Sequence, residues 1–200
     1  MLDRKRIFAD GLKAGFKQGS ENYLCSFFVT SISLGMAKHD FNFQKFSLRN
    51  FVDGQDEEAL FQALKDPEVV KHMASSGISR ADCDVIVKES NSHWQEHGIG
   101  SWAVVNNDEV IGWAGFKIWQ GSSFQLLVVL GKSSWGLGKE IYSELIKLGR
   151  ECYDLKSVLV VLPETRKSFQ YIVKKAGFAP VGRVEFNGEF FQKFELKFKD

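Results

Sequence analysis

An apolar run, Leu126 to Leu130, is followed by Trp135-Gly136-Leu137-Gly138-Lys139 and then by a helical pattern. With Val128 and Val129 β-branched, the run predicts a strand buried on both faces. Ile141, Leu145, Leu148 and Cys152, spaced four, three and four apart, predict a helix with one apolar stripe. A strand that feeds a helix through two glycines leaves the first-turn N–H groups free and lets a ligand approach them closely. Such a turn suits a phosphate-sized anion at the positive end of a helix. Many strand-to-helix turns carry glycine only for packing, so the surrounding elements must decide between the two.

Two other patterns suggest chemistry. His93-Trp94-Gln95-Glu96-His97 puts two histidines on one helix face, as in an inverted zinc peptidase. That site needs a third ligand, whereas Gly98 ends the helix at once, so last-turn histidines at the negative helix end are the reading and no metal is expected. Gly131-Lys132-Ser133 after a strand hints at a P-loop, but Leu126 stands where that motif requires its first glycine. Cys25, Cys83 and Cys152 share no ligand spacing and are expected as buried free thiols in a reducing compartment.

Two hundred residues, 44% hydrophobic and 26% charged, suit one domain plus an extension. The net charge of +1 gives no reason to expect nucleic acid as a partner. The longest apolar segment, Tyr23 to Met36, is too short to span a bilayer and follows a polar lead, so neither stable membrane insertion nor a signal peptide is expected. A cytoplasmic protein is the default. Residues 1–40 carry Phe8, Leu12 and Phe16 at four-residue spacing among basic residues, which predicts a helical extension that docks on the domain or makes a homodimer. Contact with an anionic surface is the alternative.

From residue 41 to 200 the elements sharpen into one α/β domain. Phe41, Phe43, Phe46 and Leu48 predict one irregular strand, and Asp53 with Asp56 a capping box before a helix from Glu57 to Leu64. Ser79 with Asp82 opens a second helix, its core side Cys83, Ile86, Val87, Ser90 and Trp94, ending at Gly98. Ser101 to Val105 and Val110 to Ile118 flank a turn-forming cluster as an antiparallel hairpin. After the organising strand and its helix, Ser157 to Leu162 is a second buried strand, parallel to the first by the crossover rule. Thr165 to Lys175 is the last helix, and Phe178 to Phe186 with Glu189 to Phe198 a final hairpin around Asn187-Gly188.

That order, with its motifs, resembles the GNAT superfamily of acyl-coenzyme A dependent N-acyltransferases. Within it the chain is most similar to the Rim-type branch, which acetylates N-terminal amino groups of ribosomal proteins. Four pieces carry the resemblance: Ser47-Leu48-Arg49 through Asp66-Pro67; Trp102-Ala103-Val104 with Val110-Ile111-Gly112-Trp113; Trp135-Gly136-Leu137-Gly138; and Pro163-Glu164-Thr165 through Ser168 to Gly177-Phe178. It implies a GNAT fold: a mixed, mostly antiparallel sheet flanked by helices, with a parallel strand pair splayed open beside a bulge.

The resemblance also implies the chemistry. Acetyl-CoA would be the co-substrate, the acceptor a primary amine on a protein N-terminus or small molecule, and the amine would attack the thioester directly. Amides of Val128 and Leu130 would hold the pantetheine and polarise the carbonyl, while Ser133, Trp135, Gly136, Leu137, Gly138, Lys139 and Thr165 would complete the cofactor site. Ser168 would be the acid toward the sulfur, with Tyr171 the fallback in a shifted register, and Glu185 the base. A helix-surface hydroxyl and an exposed strand residue are the ordinary alternatives for Ser168 and Glu185. The chain departs from the pattern at Gln125, where many relatives carry glutamate, at Val173, where tyrosine is common, and at Thr165, where asparagine is usual. These departures leave open a GNAT-like acyl-CoA-binding sensor or assembly module without turnover.

Overall fold

The computed structural model describes residues 40–71, 73, 77–119, 123–186 and 188–198. The expected extension before Asp40, and Cys25 within it, lie outside the described residues. Eight strands among the described residues form one sheet in the order β1-β2-β3-β4-β5-β6-β8-β7. They are β1 (Phe41–Asn42), β2 (Ser47–Arg49), β3 (Ser101–Asn106), β4 (Glu109–Trp119), β5 (Ser123–Leu130), β6 (Ser157–Pro163), β7 (Ala179–Phe186) and β8 (Glu189–Lys197). The helices are α1 (Asp56–Leu64), α2 (Pro67–Val70), α3 (Arg80–His97), α4 (Gly138–Glu151) and α5 (Lys167–Lys175). All neighbours are antiparallel except β5 and β6, so the mixed sheet with one parallel pair is as expected.

The helices cover two faces. Ile141, Leu145 and Leu148 of α4 and Val173 of α5 share a core with Phe116, Leu126, Leu130, Val158, Val160, Leu162 and Phe194. On the other face Leu60, Leu64, Cys83 and Val87 pack with Val105, Val110, Trp113 and Val129. Strand alternation divides β5 accordingly, Leu126 toward α4 and Val129 toward α1 and α3. Gly112, at φ +155°, lets β4 lie against β5, since a Cβ there would stand 2.1 Å from the Val129 carbonyl oxygen.

Local chemistry departs from the sequence expectation at several points. The first strand is two short strands in a hairpin, because Phe43 N–H bonds Phe46 O and turns the chain between them. Asp53 caps nothing at α1; instead the Asp56 carboxylate accepts from Val52 N–H at 2.8 Å and Glu57 from Gly54 N–H at 2.7 Å. Asp56 also receives a two-pronged ion pair from Arg49, at 2.6 and 2.8 Å, which raises the guanidinium pKa above its usual value. The Ser79–Asp82 capping box and the left-handed Gly98 bound α3 as the sequence indicated. Cys83 is buried, its thiol pushed up to about 11 by desolvation, whereas Cys152 is exposed beyond the end of the α4 stripe. Among the described residues, no helix is long and apolar enough to cross a membrane.

Candidate active site

Phe116 N–H bonds Gly100 O, so it points toward β3, and the antiparallel alternation then turns the N–H groups of Leu126, Val128 and Leu130 away from β4 and toward β6. The two parallel strands share a single register pair, Gln125 with Leu159. A parallel pair at that position engages Leu126 N–H. Val128 and Leu130, further along, have no ladder partner in β6, because the strands have parted. The expected bulge is absent here: β4 and β5 stay in unbroken register from Gly112–Leu130 to Trp119–Ser123. Register slips instead between β3 and β4, at Val104/Val105. Splay alone frees the amides.

The splay opens onto the glycine turn. A 3-10 turn, Lys132–Leu137, precedes α4, which therefore starts at Gly138 rather than directly after the strand. Trp135 is partly exposed and donates its Nε1–H to Leu130 O at 3.1 Å, tying the turn to the edge of β5. Neither Gly136 nor Gly138 has a positive φ. Among the described residues, a Cβ at Gly136 would meet no atom within 4 Å, and at Gly138 only Leu130 Cδ1 at 3.9 Å. Packing and backbone conformation thus require neither glycine, and the turn is open to close approach of a ligand to its amides. Ser133 and Lys139 are exposed on the same turn.

On the opposite side of the gap, Thr165 lies in the turn after β6, and α5 begins at Lys167 rather than Thr165. Gln170 fixes this turn by donating to Pro163 O at 3.2 Å and Glu164 O at 3.3 Å. Arg166 at its end is the one arginine among the described residues without a carboxylate partner. Its guanidinium lies 4.9 Å from the Phe169 ring centre, Phe169 packs on Tyr142 of α4 at 5.4 Å, and burial holds the Arg166 pKa down. A cation held between the openings of α4 and α5 suits an anionic ligand group, yet the sequence reading passed over it. Its legible signal was a basic residue at the opening of the helix after the second parallel strand.

The side chains named from the sequence as catalytic lie in different surroundings. Ser168 is exposed in the first turn of α5. Tyr171 is 60% exposed, with Lys175 Nζ 4.9 Å from its ring centre. Glu185 is exposed on β7 opposite Phe190, in the register that faces the α5 side. Gln125 lies on the reverse face with Leu127 and Val129, opposite Lys117 of β4, while Val173 is core. His93 is fully engaged: its Nδ1 lies 2.5 Å from Ile99 O and its Nε2 accepts from Ile118 N–H at 3.0 Å. This assigns a neutral ring, consistent with a pKa lowered by burial, and it occupies the nitrogen atoms a metal would need.

Free strand amides, an open glycine turn at a helix N-terminus and an unpaired arginine together fit a thioester of a phosphorylated carrier. The family described as Acetyltransferase (GNAT) domain matches residues 45–179. The chain belongs to the GNAT acetyltransferase family. Members of this family use acetyl-CoA. Among solved structures, a GNAT-family acetyltransferase from Bordetella pertussis is 12% identical, covers 78% of this chain and 98% of its own, and superimposes with a TM-score of 0.66. The ribosomal-protein α-N-acetyltransferase RimL is 13% identical over 84% of this chain and 99% of its own, with a TM-score of 0.67. The microcin self-immunity acetyltransferase MccE, solved with acetyl-CoA and AMP, is 15% identical over 78% of this chain and 93% of its own, with a TM-score of 0.63. At such identities the likeness speaks to the GNAT fold. No curated protein matches the chain.

Proposed function

We propose that this GNAT protein transfers the acetyl group of acetyl-CoA to a primary amine, on a protein N-terminus or a small molecule, in the manner of the Rim-type branch. The reading rests on one observation: β5 and β6 part after a single register pair, which leaves the Val128 and Leu130 amides without a ladder partner in β6 beside the open Gly136 turn. Bound there, acetyl-CoA would supply an electrophilic thioester carbonyl and a thiolate leaving group.

The chain's own residues have four tasks. The Val128 and Leu130 amides orient the pantetheine and stabilise charge on the carbonyl oxygen, a role worth roughly 2.7 to 4 kcal/mol of barrier for one preorganised donor. Amides of residues 135–139, with Ser133, Lys139, Thr165 and Arg166, hold the phosphates and the arm of the carrier. Glu185, which faces the α5 side, takes the proton of the amine through an intervening water once the amine stands in the slot. Ser168 returns one to the departing sulfur, with Tyr171 in that role if the helix is read one turn on.

Exposure of Ser168, Tyr171 and Glu185, and Gln125 in place of a carboxylate, favour a second reading, an acyl-CoA-binding sensor or assembly module. Free thiol release from acetyl-CoA, measured against a panel of amines and N-terminal peptides, separates the two. Turnover with any member supports transfer; tight binding of acetyl-CoA with no thiol release across the panel supports the module.

A further inference from the structure

We propose that Trp119 and Phe186, backed by the buried Phe191, form the acceptor's recognition surface, and that it selects amines bearing a planar apolar group and an adjacent carbonyl. This rests on the acetyltransferase reading and names the substrate class of that site. In the sheet order four inter-strand spacings separate β4 from β7, about 19 Å if the sheet were flat. Yet the Trp119 ring meets Phe186 edge-on at 5.5 Å, and Phe186 meets Phe191 at 5.4 Å. The tip of the β7–β8 ribbon therefore curls over one face of the sheet until it reaches the end of β4.

Register identifies that face. Trp119 follows Trp113 and Lys117 in the alternation of β4, and Phe191 alternates against Phe194 of the α4 core. All three rings thus lie on the side of Gln125, Leu127 and Leu159, away from α4 and α5. Leu159 and Phe191 are buried there, yet neither belongs to a helix-covered core. The register pair after which β5 and β6 part presents its side chains on this same face, so an amine reaching the slot from this face meets the Trp119 and Phe186 rings. Offset and edge-on ring contacts favour planar groups.

Trp119 adds a polar requirement. Its Nε1 is buried and has no hydrogen-bond partner among the described residues. A buried donor without an acceptor is costly, and indole can only donate, so a carbonyl on the acceptor relieves it. His93 keeps the end of β4 in place by accepting from Ile118 N–H, and Lys117 is neutralised by Glu89 at 3.1 Å. Charge on this wall therefore gives little preference for an acidic group.

The test compares kcat/KM for phenylalaninamide, alaninamide and phenethylamine, the last lacking the carbonyl, in the intact protein and in Trp119→Phe, Phe186→Ala and Phe186→Leu. Phenylalaninamide should exceed alaninamide by about tenfold or more, as ring burial and ring contacts imply. Phe186→Ala should collapse that ratio, Phe186→Leu should reduce it, and Trp119→Phe should abolish only the preference for phenylalaninamide over phenethylamine. Affinity for acetyl-CoA should stay as it is in all three variants. Equal turnover of phenylalaninamide and alaninamide, or a preference that survives Phe186→Ala, would overturn the aromatic surface while leaving acetyl transfer intact. Binding of phenylalaninamide over alaninamide by calorimetry, without any transfer, would support the surface and remove the acetyltransferase reading.

Discussion

Replacing Gly136 by alanine should move stability and ligand affinity in opposite directions. A Cβ at this position meets no atom of the described residues within 4 Å, and φ is not positive, so the folded chain accepts it without strain. Alanine restricts the unfolded chain more than glycine does, which stabilises such a site by about 0.4–1 kcal/mol. For a chain of 200 residues that is a rise in Tm of about 1–4 °C. The same methyl group would stand where a phosphate must come within hydrogen-bonding distance of the turn's amides. Losing one charge-assisted bond there costs about 1.5–3 kcal/mol, which is about 10- to 100-fold in Kd. Thermal unfolding without ligand and calorimetric titration with acetyl-CoA read the two effects separately. An alanine variant that binds acetyl-CoA as tightly as the parent would refute the assignment of this turn to phosphate. Gly112→Ala serves as the contrast: with φ +155° and a Cβ 2.1 Å from Val129 O, it should lose about 3 kcal/mol of stability before any question of binding arises.

Three other perturbations test separate parts of the structure. Ser168→Ala and Glu185→Gln should each lower kcat by about 100-fold with acetyl-CoA affinity unchanged, the usual effect of removing a proton-transfer group; steady-state kinetics alongside titration checks both halves. Asp56→Ala strips a partly buried Arg49 of its ion pair and Val52 N–H of its acceptor, and should cost about 3 kcal/mol in denaturant unfolding. Since burial lowers the pKa of His93 in the folded state, the unfolded chain binds the extra proton more readily, and its contribution to stability is present above the unfolded pKa of about 6.5 and lost as the pH falls below it. Tm should therefore decline between about pH 7 and 5, and His93→Gln should flatten that part of the profile.

Much of this architecture was legible because short-range rules govern it. The Ser79–Asp82 box, Gly98 and the turn residues between β3 and β4 bound their elements locally, and the stripe Ile141, Leu145 and Leu148 named the buried face of α4. The glycine turn was legible for the same reason, as two residues with no side chain at a helix opening. Reading failed where a distant partner decides. Asp53 had the right spacing for a cap, but Arg49 and the Val52 amide drew Asp56 into another role. Cys152 continued an apolar stripe past the point where the helix still faced the sheet.

What the sequence determined by itself was the succession of elements and the glycine turn before α4, both consequences of backbone preference and periodic apolar spacing. Only the tertiary structure decided that β5 and β6 separate after Gln125 and Leu159, that Arg166 is left without a carboxylate among the described residues, and that the Trp119 and Phe186 rings meet. Each of these depends on how far a twisted sheet carries residues that are tens of positions apart in the chain. Local spacing encodes which way a side chain points from its strand; it does not encode where the neighbouring strand ends its contact.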